Sequence, residues 1–287
     1  MYSFTSRVRY SETDETGNLS LKSLMNYLQD CCLFQSEALG VGPDYLKGRH
    51  RLWLLSGWQV VIDRYPGMFE KITVTTIPYE FSGCLGWRNV SISDENDICI
   101  VRANSPWVYI NTDTGRPAQP DETEKSAYAL EERIPMDYAP RKIKLPENMT
   151  AGTPVPVIQE FIDSNHHVNN AQYVDIAVNI MEENLRSFSH PDASAEIKSE
   201  ERKDPKVFVK EMRVEYKKQA VLGDILYPKT CLLNDWYYVT FTDLGGHIYA
   251  SVAIRLFHSK MPATGPERNP EREDPFFPAH RIPCAPE

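Results

Sequence analysis

Two stretches of the chain carry the apolar spacing of a buried helix face. Apolar residues fall at i, i+1, i+4 and i+8 from Leu24 in "NLSLKSLMNYLQDCC" and from Tyr173 in "HVNNAQYVDIAVNIM". This spacing is typical of one face of an α-helix. The two stretches come into register under a shift of 149 residues, the separation of Asp14 and Asp163. The pattern predicts an internal repeat with one long helix in each half.

The segments after each helix read as antiparallel strands. "WRNVSISDENDICIVRA" and "WYYVTFTDLGGHIYASV" align under the same shift, and each reads as strand, polar turn, strand. Each half has a further strand pair between its helix and this hairpin, "WQVVIDRY" with "KITVTTI" and "VFVKEMRVEYKKQ" with "DILYPKTCLL". Each half is predicted to be a short strand, a long helix and about four antiparallel strands. The fold class is therefore α+β, with a curved sheet around each helix.

Changes in composition predict the borders of the two repeats. Residues 1–111 form the first repeat and residues 157–258 the second. The segment 112–156 is rich in proline and charge and is predicted to be a linker with one short helix. Residues 259–287 hold seven prolines and no alternation, which predicts an extended or disordered tail.

Charge and composition exclude several functions. A formal net charge of −9 argues against nucleic-acid binding as the main activity. No apolar run approaches the roughly 20 residues that span a bilayer, and the N-terminus lacks the apolar core of a signal peptide. We therefore expect a cytoplasmic protein without a membrane span. The six cysteines form no C-x-x-C pair, so neither a zinc site nor a disulfide framework is predicted, and no metal or organic cofactor is expected.

Polar side chains crowd the start of the second predicted helix, in "IDSNHHVNNAQYV". A histidine titrates near neutral pH, and unpaired N–H groups at a helix start can stabilise an oxyanion, so this stretch suits acyl transfer to water. The alternative is an ordinary Asx-turn and helix cap. The first half keeps Asp14 but has glycine and asparagine in place of His166 and His167. This difference favours the functional interpretation, with His166 as a solvated neighbour.

These motifs resemble, in order, those of the acyl-ACP thioesterases, which end fatty-acid synthesis in plant plastids and occur in bacteria. "R-Y-S-E" followed by "LMNYLQD" looks like the family's first strand and helix. "DSNHHVNNAQYV" is similar to its D-x-N-x-H-V-N-N segment, and "EYKKQ" with "GD" to its E-Y-R-R-E-C segment. The resemblance covers roughly residues 2–257. It implies a tandem (double) hotdog fold, with the acyl pocket in the first half, and hydrolysis of acyl-ACP to a fatty acid and the carrier protein.

The resemblance implies catalytic roles for Asp163, Asn165 and His167. A further family glutamate falls on Gln219, and a cysteine once proposed as nucleophile falls on Ala220. Ala220 cannot be a nucleophile. Gln219 cannot be a general base, but its amide can hold a water or a thioester carbonyl. Asp163 has three open roles: fixing the tautomer of His167, acting as base, or attacking the thioester.

Further candidates surround these residues. Apolar and polar side chains proposed to contact the acyl chain are Met25, Trp53, Trp58 and Asn170. Residues 202–218 carry seven cations against three acids, a local charge of +4. Because carrier proteins of this pathway are acidic, this segment is a candidate docking surface, through Lys206, Lys210, Arg213 and Lys217. A solvated strand face is the alternative for these cations.

Two rival functions stay open. One is an acyl-CoA thioesterase of the same fold. The other is a non-catalytic acyl-binding or scaffold module, for which the departures at Gln219 and Ala220 are the best argument. The acyl chain length, a homodimeric state and the role of the tail are not fixed by the sequence.

Overall fold

Two long helices pack against one continuous antiparallel sheet. The computed structural model describes residues 1–189 and 208–257, so the predicted tail at 259–287 lies outside the described residues. The helices are α1 Leu21–Ala38, α2 Pro43–Gly48, α3 Glu122–Ala127 and α4 Asn170–Ser189. The strands are β1 Tyr2–Arg7, β2 Arg51–Leu55, β3 Gly57–Ile62, β4 Lys71–Ser82, β5 Leu85–Ser93, β6 Cys99–Asn111, β7 Arg116–Pro117, β8 Thr150–Ala151, β9 Val155–Pro156, β10 Val209–Tyr216, β11 Ile225–Leu233, β12 Trp236–Thr242 and β13 Ile248–Leu256.

The strand order repeats from one half to the other. The main path of the sheet runs β1-β4-β5-β6-β3-β10-β13-β12-β11-β8, with β2 and β7 beside β6 and β9 beside β11. From one end inward the path gives β1, β4, β5, β6 and β3, and from the other end it gives their equivalents in the same order, β8, β11, β12, β13 and β10. Each half wraps its five path strands around one long helix. The predicted α+β tandem hotdog is confirmed.

The halves meet at a seam between β3 and β10. The pairing runs from Val61 opposite Glu211 to Gly57 opposite Glu215. A Cβ at position 57 would lie 2.4 Å from the Val214 carbonyl oxygen, which is far too close for any side chain. Glycine at this position therefore allows the two halves to form one unbroken sheet.

The residues at the predicted apolar spacing form the face that each long helix buries. On α1 it buries Leu24 and Leu28, and on α4 Val174 and Met181, all at 0% exposure. Complete burial of each such side chain contributes about 1.5–3 kcal/mol. Each long helix begins with a side-chain cap. Ser20 Oγ accepts from the Ser23 N–H at 3.2 Å, and Asn169 Oδ1 accepts from the Ala171 N–H at 2.8 Å.

Part of the linker lies across the outer face of the sheet over the seam. We call residues 133–143 the strap. Gln59 bonds the strap backbone twice, at 2.8 Å each. Asn89 Oδ1 accepts a strap N–H at 3.0 Å, Glu215 accepts one at 3.2 Å, and Arg213 donates to strap carbonyls. The strap therefore provides partners for polar residues of both halves on a face that would otherwise meet water.

Candidate active site

The polar stretch before α4 forms a tight turn. The Asp163 N–H donates to the His167 carbonyl at 2.8 Å, and the His166 N–H to the Asp163 carbonyl at 3.0 Å. Asp163 Oδ1 accepts the Asn165 N–H at 2.8 Å. His166 closes the turn with a left-handed backbone, φ +63°. Its exposed side chain agrees with the predicted solvated neighbour.

The same turn occurs four times in the described chain. It begins at Asp14, Asp94, Asp163 and Asp243, and each aspartate N–H donates to the carbonyl four residues on, at 2.8, 3.0, 2.8 and 2.9 Å. Each has a left-handed residue at its fourth position. Forming this turn therefore explains part of the presence of Asp163, as the Asx-turn alternative proposed. The turns at residues 14 and 163 are equivalent under the repeat.

One contact separates the turn at Asp163 from the other three. At Asp14, Asp94 and Asp243 the aspartate Oδ1 also accepts the N–H of the fifth residue, at 3.3, 3.1 and 2.9 Å. Within the described residues, the His167 N–H makes no such bond. The His167 backbone N–H is therefore a free donor at this turn.

A cavity of about 750 Å³ brings the four predicted catalytic residues together. Asp163, Asn165 and His167 line it from the turn, and Gln219 lines it from the segment after β10. The Val168 N–H donates to the Ala220 carbonyl at 2.9 Å, which joins the two segments. Asp163 and Gln219, which are 56 positions apart in the sequence, thus share one wall of the cavity.

Most of the remaining lining comes from the first half. It is largely apolar and aromatic, with Leu33 of α1, Trp53 of β2 and Phe81 of β4 among its members. Arg88 also lines it, lying 5.8 Å and 5.4 Å from the ring centres of Trp107 and Tyr128. The cavity thus has a polar edge from one repeat and a mostly apolar body from the other.

Trp53 is held in this wall by a buried carboxyl of the linker. Its Nε1 donates to Glu124 Oε1 of α3 at 2.8 Å, and its ring lies 4.8 Å from that of Tyr109 and 5.9 Å from that of Phe81. Burial raises the pKa of the Glu124 carboxyl. Sequence reasoning missed Glu124 because a single glutamate in a charged linker carries no signal.

Two predicted wall residues lie elsewhere. Met25 and Trp58 are 2% and 3% exposed and belong to the core. Met25 packs with the buried face of α1, whereas the cavity meets the neighbouring face that carries Gln29 and Leu33. The structure therefore corrects the prediction that Met25 and Trp58 contact the acyl chain.

Asn170 joins the two halves at the cavity wall. Its Nδ2 donates to Gln29 Oε1 of the first half at 2.9 Å, and its carbonyl accepts the Tyr216 hydroxyl at 3.0 Å. Burial raises the pKa of Tyr216, so this phenol remains a donor. Asn170 lines the cavity, and its amide is already engaged by Gln29; its contact with the acyl chain stays a prediction.

His167 has one unsatisfied ring nitrogen. Its Nδ1 is buried and has no hydrogen-bond partner among the described residues. Within the same residues, no hydrogen bond joins the side chains of Asp163 and His167. The arrangement thus gives no support to the role of Asp163 in fixing the histidine tautomer, and it leaves the roles of base and nucleophile open.

The start of α4 offers fewer free donors than the sequence implies. The N–H groups of Val168 and Asn169 donate to carbonyls of Ala220 and Phe161. Those of Ala171 and Gln172 are capped by Asn169. Among the described residues, the N–H groups of His167 and Asn170 make no such bonds, so they are the donors that this end of the helix can offer to an oxyanion.

The predicted docking cations are not equally available. Lys206 lies outside the described residues. Arg213 donates to the strap carbonyls of Pro140 and Lys142, so its guanidinium already has partners. Lys210 is exposed. Lys217 is exposed, lines the cavity and lies 3.8 Å from Glu215 Oε1.

The described residues present neither an exposed thiol in the cavity nor a cluster of metal ligands. Cys31 and Cys32 are buried in the core, and burial raises the pKa of both thiols. In residues 1–189 and 208–257 no group of three or more His, Cys, Asp or Glu side chains is placed to hold a metal ion. No helix of that same part of the chain is long and apolar enough to cross a membrane.

Fold and cavity define the class of the protein. It is a double-hotdog protein in which a polar turn of the second repeat faces a mainly apolar cavity lined by both repeats. Solved structures with this architecture include an acyl-ACP thioesterase from Bacteroides thetaiotaomicron, at 21% identity and TM-score 0.76, which covers 89% of this chain and 97% of that one. A 12:0-ACP thioesterase from Umbellularia californica, at 17% identity, gives a TM-score of 0.72 with 89% and 96% coverage.

Sequence comparison confirms the resemblance to the acyl-ACP thioesterase family. Residues 1–125 match the model of the acyl-ACP thioesterase N-terminal domain. A palmitoyl-acyl carrier protein thioesterase of Gossypium hirsutum is 27% identical over 183 residues, and an acyl-[acyl-carrier-protein] hydrolase of Cuphea viscosissima is 31% identical over 183 residues. These matches cover 58% of this chain and only 44% and 43% of the relatives. The family model ends before Asp163, so it leaves the assignment of the catalytic residues untested.

Proposed function

We propose that this chain hydrolyses acyl-ACP thioesters and releases a free fatty acid and the carrier protein. The observation that carries the proposal is the convergence of Asp163, Asn165, His167 and Gln219 on one edge of a cavity whose remaining wall is mainly apolar. An apolar cavity with a few convergent polar groups is the usual form of a site for an apolar substrate. The names of the related proteins support the same activity.

The proposed reaction is attack of water on the thioester carbonyl. His167 accepts a proton from the water as its oxygen bonds to the carbonyl carbon. The carbonyl oxygen becomes an oxyanion, for which the N–H groups of His167 and Asn170 are the proposed donors; one such donor is worth about 3–4 kcal/mol. Collapse breaks the C–S bond, and the proton returns to the thiolate. Asn165 and Gln219 are proposed to position the water or the carbonyl.

Asp163 has two roles in this scheme. Its Oδ1 shapes the turn that presents His167, and its carboxylate remains a candidate base or nucleophile. A nucleophilic role would give an acyl-enzyme anhydride that water then hydrolyses. Label recovered in Asp163 after hydrolysis in ¹⁸O-labelled water under single-turnover conditions would establish the nucleophilic role, because only attack of water on the Asp163 carboxyl carbon of the anhydride places label there.

Partners and location follow from the same proposal. The acyl carrier protein is the proposed donor of the substrate, and Lys210 and Lys217 are the exposed members among the described part of the predicted docking set. If their charge drives docking, KM for acyl-ACP should rise steeply with salt while kcat changes little. A cytoplasmic location remains the proposal for this chain, although the plant relatives are named as chloroplastic proteins.

The test is thiol release by the purified protein from matched acyl-ACP and acyl-CoA thioesters. Hydrolysis of acyl-ACP with the higher kcat/KM is expected, and His167→Ala should lower kcat by roughly a thousandfold. His166→Ala, its matched neighbour, should retain most activity. Preference for acyl-CoA would support the rival thioesterase. Binding without turnover would support the scaffold alternative, and equal, small effects of the two histidine variants would refute the role of His167.

A further inference from the structure

Four exposed aliphatic side chains cluster where β10 turns into β11. They are Ile158, Val221, Leu222 and Ile225, with exposed fractions of 44, 43, 55 and 42%, and we call them the mouth patch. The Gly223 N–H donates to the Val157 carbonyl at 3.3 Å, and the Val157 N–H to the Asp224 carbonyl at 2.9 Å. These bonds bring Ile158 beside the turn. The patch is thus a local surface and not four scattered residues.

The mouth patch adjoins the edge of the cavity that carries the polar residues. Ala220, directly before the patch, accepts the Val168 N–H of the segment that leads from His167 into α4. The three residues before it, Lys217, Lys218 and Gln219, are exposed and line the cavity. A molecule that covers the patch would therefore lie next to the polar end of the cavity.

An exposed apolar patch with a polar margin is typical of a protein-binding surface, and the margin here includes Lys217 and Lys218. The Lys218 ammonium lies 3.0 Å from Asp243 Oδ2 and 5.0 Å from the centre of the Tyr249 ring, and Lys217 lies 3.8 Å from Glu215. Each of these cations already has an acidic neighbour. They can therefore orient a partner but cannot supply most of the affinity for it. A chain of net charge −9 also has no overall field that attracts an acidic protein.

We propose that the mouth patch is the docking surface for the carrier protein, an acidic protein that delivers its acyl group into the adjoining cavity. This inference rests on the proposed function. Apolar contacts at Leu222 and its neighbours supply the affinity, and Lys217 and Lys218 favour a partner with acidic groups beside its apolar contact. A second copy of this chain, itself net negative, fits this margin less well.

The proposal predicts that KM for acyl-ACP depends on the charge of the residue at position 222. KM for acyl-ACP should rise roughly tenfold in Leu222→Asp, less in Leu222→Ser and least in Leu222→Lys, because an acidic partner tolerates lysine best. The kcat should not change. Hydrolysis of an acyl-N-acetylcysteamine thioester, which has no protein part, should be the same in all three variants.

Leu232→Asp is the matched control. Leu232 is 58% exposed and lies on the same strand as Ile225, roughly 23 Å further along at about 3.3 Å per residue. Its substitution should leave KM for acyl-ACP unchanged. Equal effects at positions 222 and 232, or equal losses on acyl-ACP and on the small thioester, would overturn the proposal.

A binding measurement separates this proposal from the proposed function. Calorimetry of His167→Ala with acyl-ACP should show binding that Leu222→Asp weakens and Leu232→Asp does not. If the wild-type chain hydrolyses no thioester but shows this pattern, the proposed function fails and the docking surface stands. If sedimentation finds a wild-type dimer that Leu222→Asp converts to monomer, the patch is a self-association surface and the proposal is wrong.

Discussion

The turn at His166 allows a prediction that separates backbone strain from chemistry. His166 has φ +63°, and its equivalent in the first half is Gly17, with φ +77°. A residue with a Cβ pays about 1–2 kcal/mol in the left-handed region, whereas glycine does not. Since the His166 side chain is exposed, His166→Gly removes strain without removing buried contacts.

The size of the effect follows from two opposing terms. Relief of strain stabilises the folded state by about 1–2 kcal/mol, and the added freedom of glycine in the unfolded chain offsets about 0.4–1 kcal/mol of this. We expect a net gain of about 0.5–1 kcal/mol. At roughly 2–4 °C per kcal/mol for domains of this size, Tm should rise by about 1–4 °C.

The first half supplies the mirror experiment. A Cβ at Gly17 would meet no atom within 4 Å, so Gly17→His adds strain and no clash. It should destabilise the protein by about the same 0.5–1 kcal/mol. His166→Ala, which keeps the Cβ and removes the ring, should leave stability nearly unchanged.

Urea unfolding and kcat/KM, both measured on His166→Gly, Gly17→His and His166→Ala, test these expectations together. His166→Gly should be more stable than the wild type and almost fully active. A destabilised His166→Gly would show that the imidazole holds the turn. A loss of roughly tenfold or more in kcat/KM, about 1.4 kcal/mol of transition-state stabilisation, would show that the strained backbone serves catalysis and would refute the view of His166 as a bystander.

Four further outcomes are expected. A folded variant with all six cysteines replaced should keep substantial activity; inhibition by labelling one thiol would contradict this. Gln219→Ala should lower kcat and Gln219→Glu should be tolerated, as steady-state kinetics will show. Asn89→Ala should cost about 3 kcal/mol in urea unfolding, because Asn89 is fully buried and its amide bonds both the strap and the Ala103 carbonyl. Burial places the folded-state pKa of Glu124 above its ordinary 4.5, so its contribution to stability is complete below that pH and is lost as pH rises. Glu124→Gln, which keeps an acceptor for Trp53, should thus raise the unfolding midpoint relative to wild type at about pH 8 and not at about pH 4.

The repeat and the two long helices could be predicted because apolar spacing encodes a buried face directly. The position of the polar turn followed from the same alignment, since the helix start fixes where Asp163 and His167 lie. The cavity could not be predicted in detail. It depends on contacts between distant residues, such as Asn170 with Gln29, which the sequence does not encode locally.

The errors have a physical origin too. Met25 and Trp58 are as apolar as the residues of a cavity wall, and only the direction in which each side chain points assigns it to the core. The free donors at the start of α4 were overestimated because capping by Asn169 and bonds to Ala220 and Phe161 are tertiary details. Arg213 was predicted to be a free surface cation, but it donates to carbonyls of the strap, and the sequence does not show this contact.

The seam between β3 and β10 also bears on how two molecules could exchange parts. Each half ends in a strand edge that is satisfied only by the other half, and an opened seam would present these edges to a second chain. Two opened molecules could then pair crosswise and form a domain-swapped dimer with two complete cavities. The strap opposes this exchange because its backbone bonds residues on both sides of the seam in the same molecule. Weakening the strap at Gln59 or Arg213 should therefore favour active swapped dimers during refolding at high protein concentration.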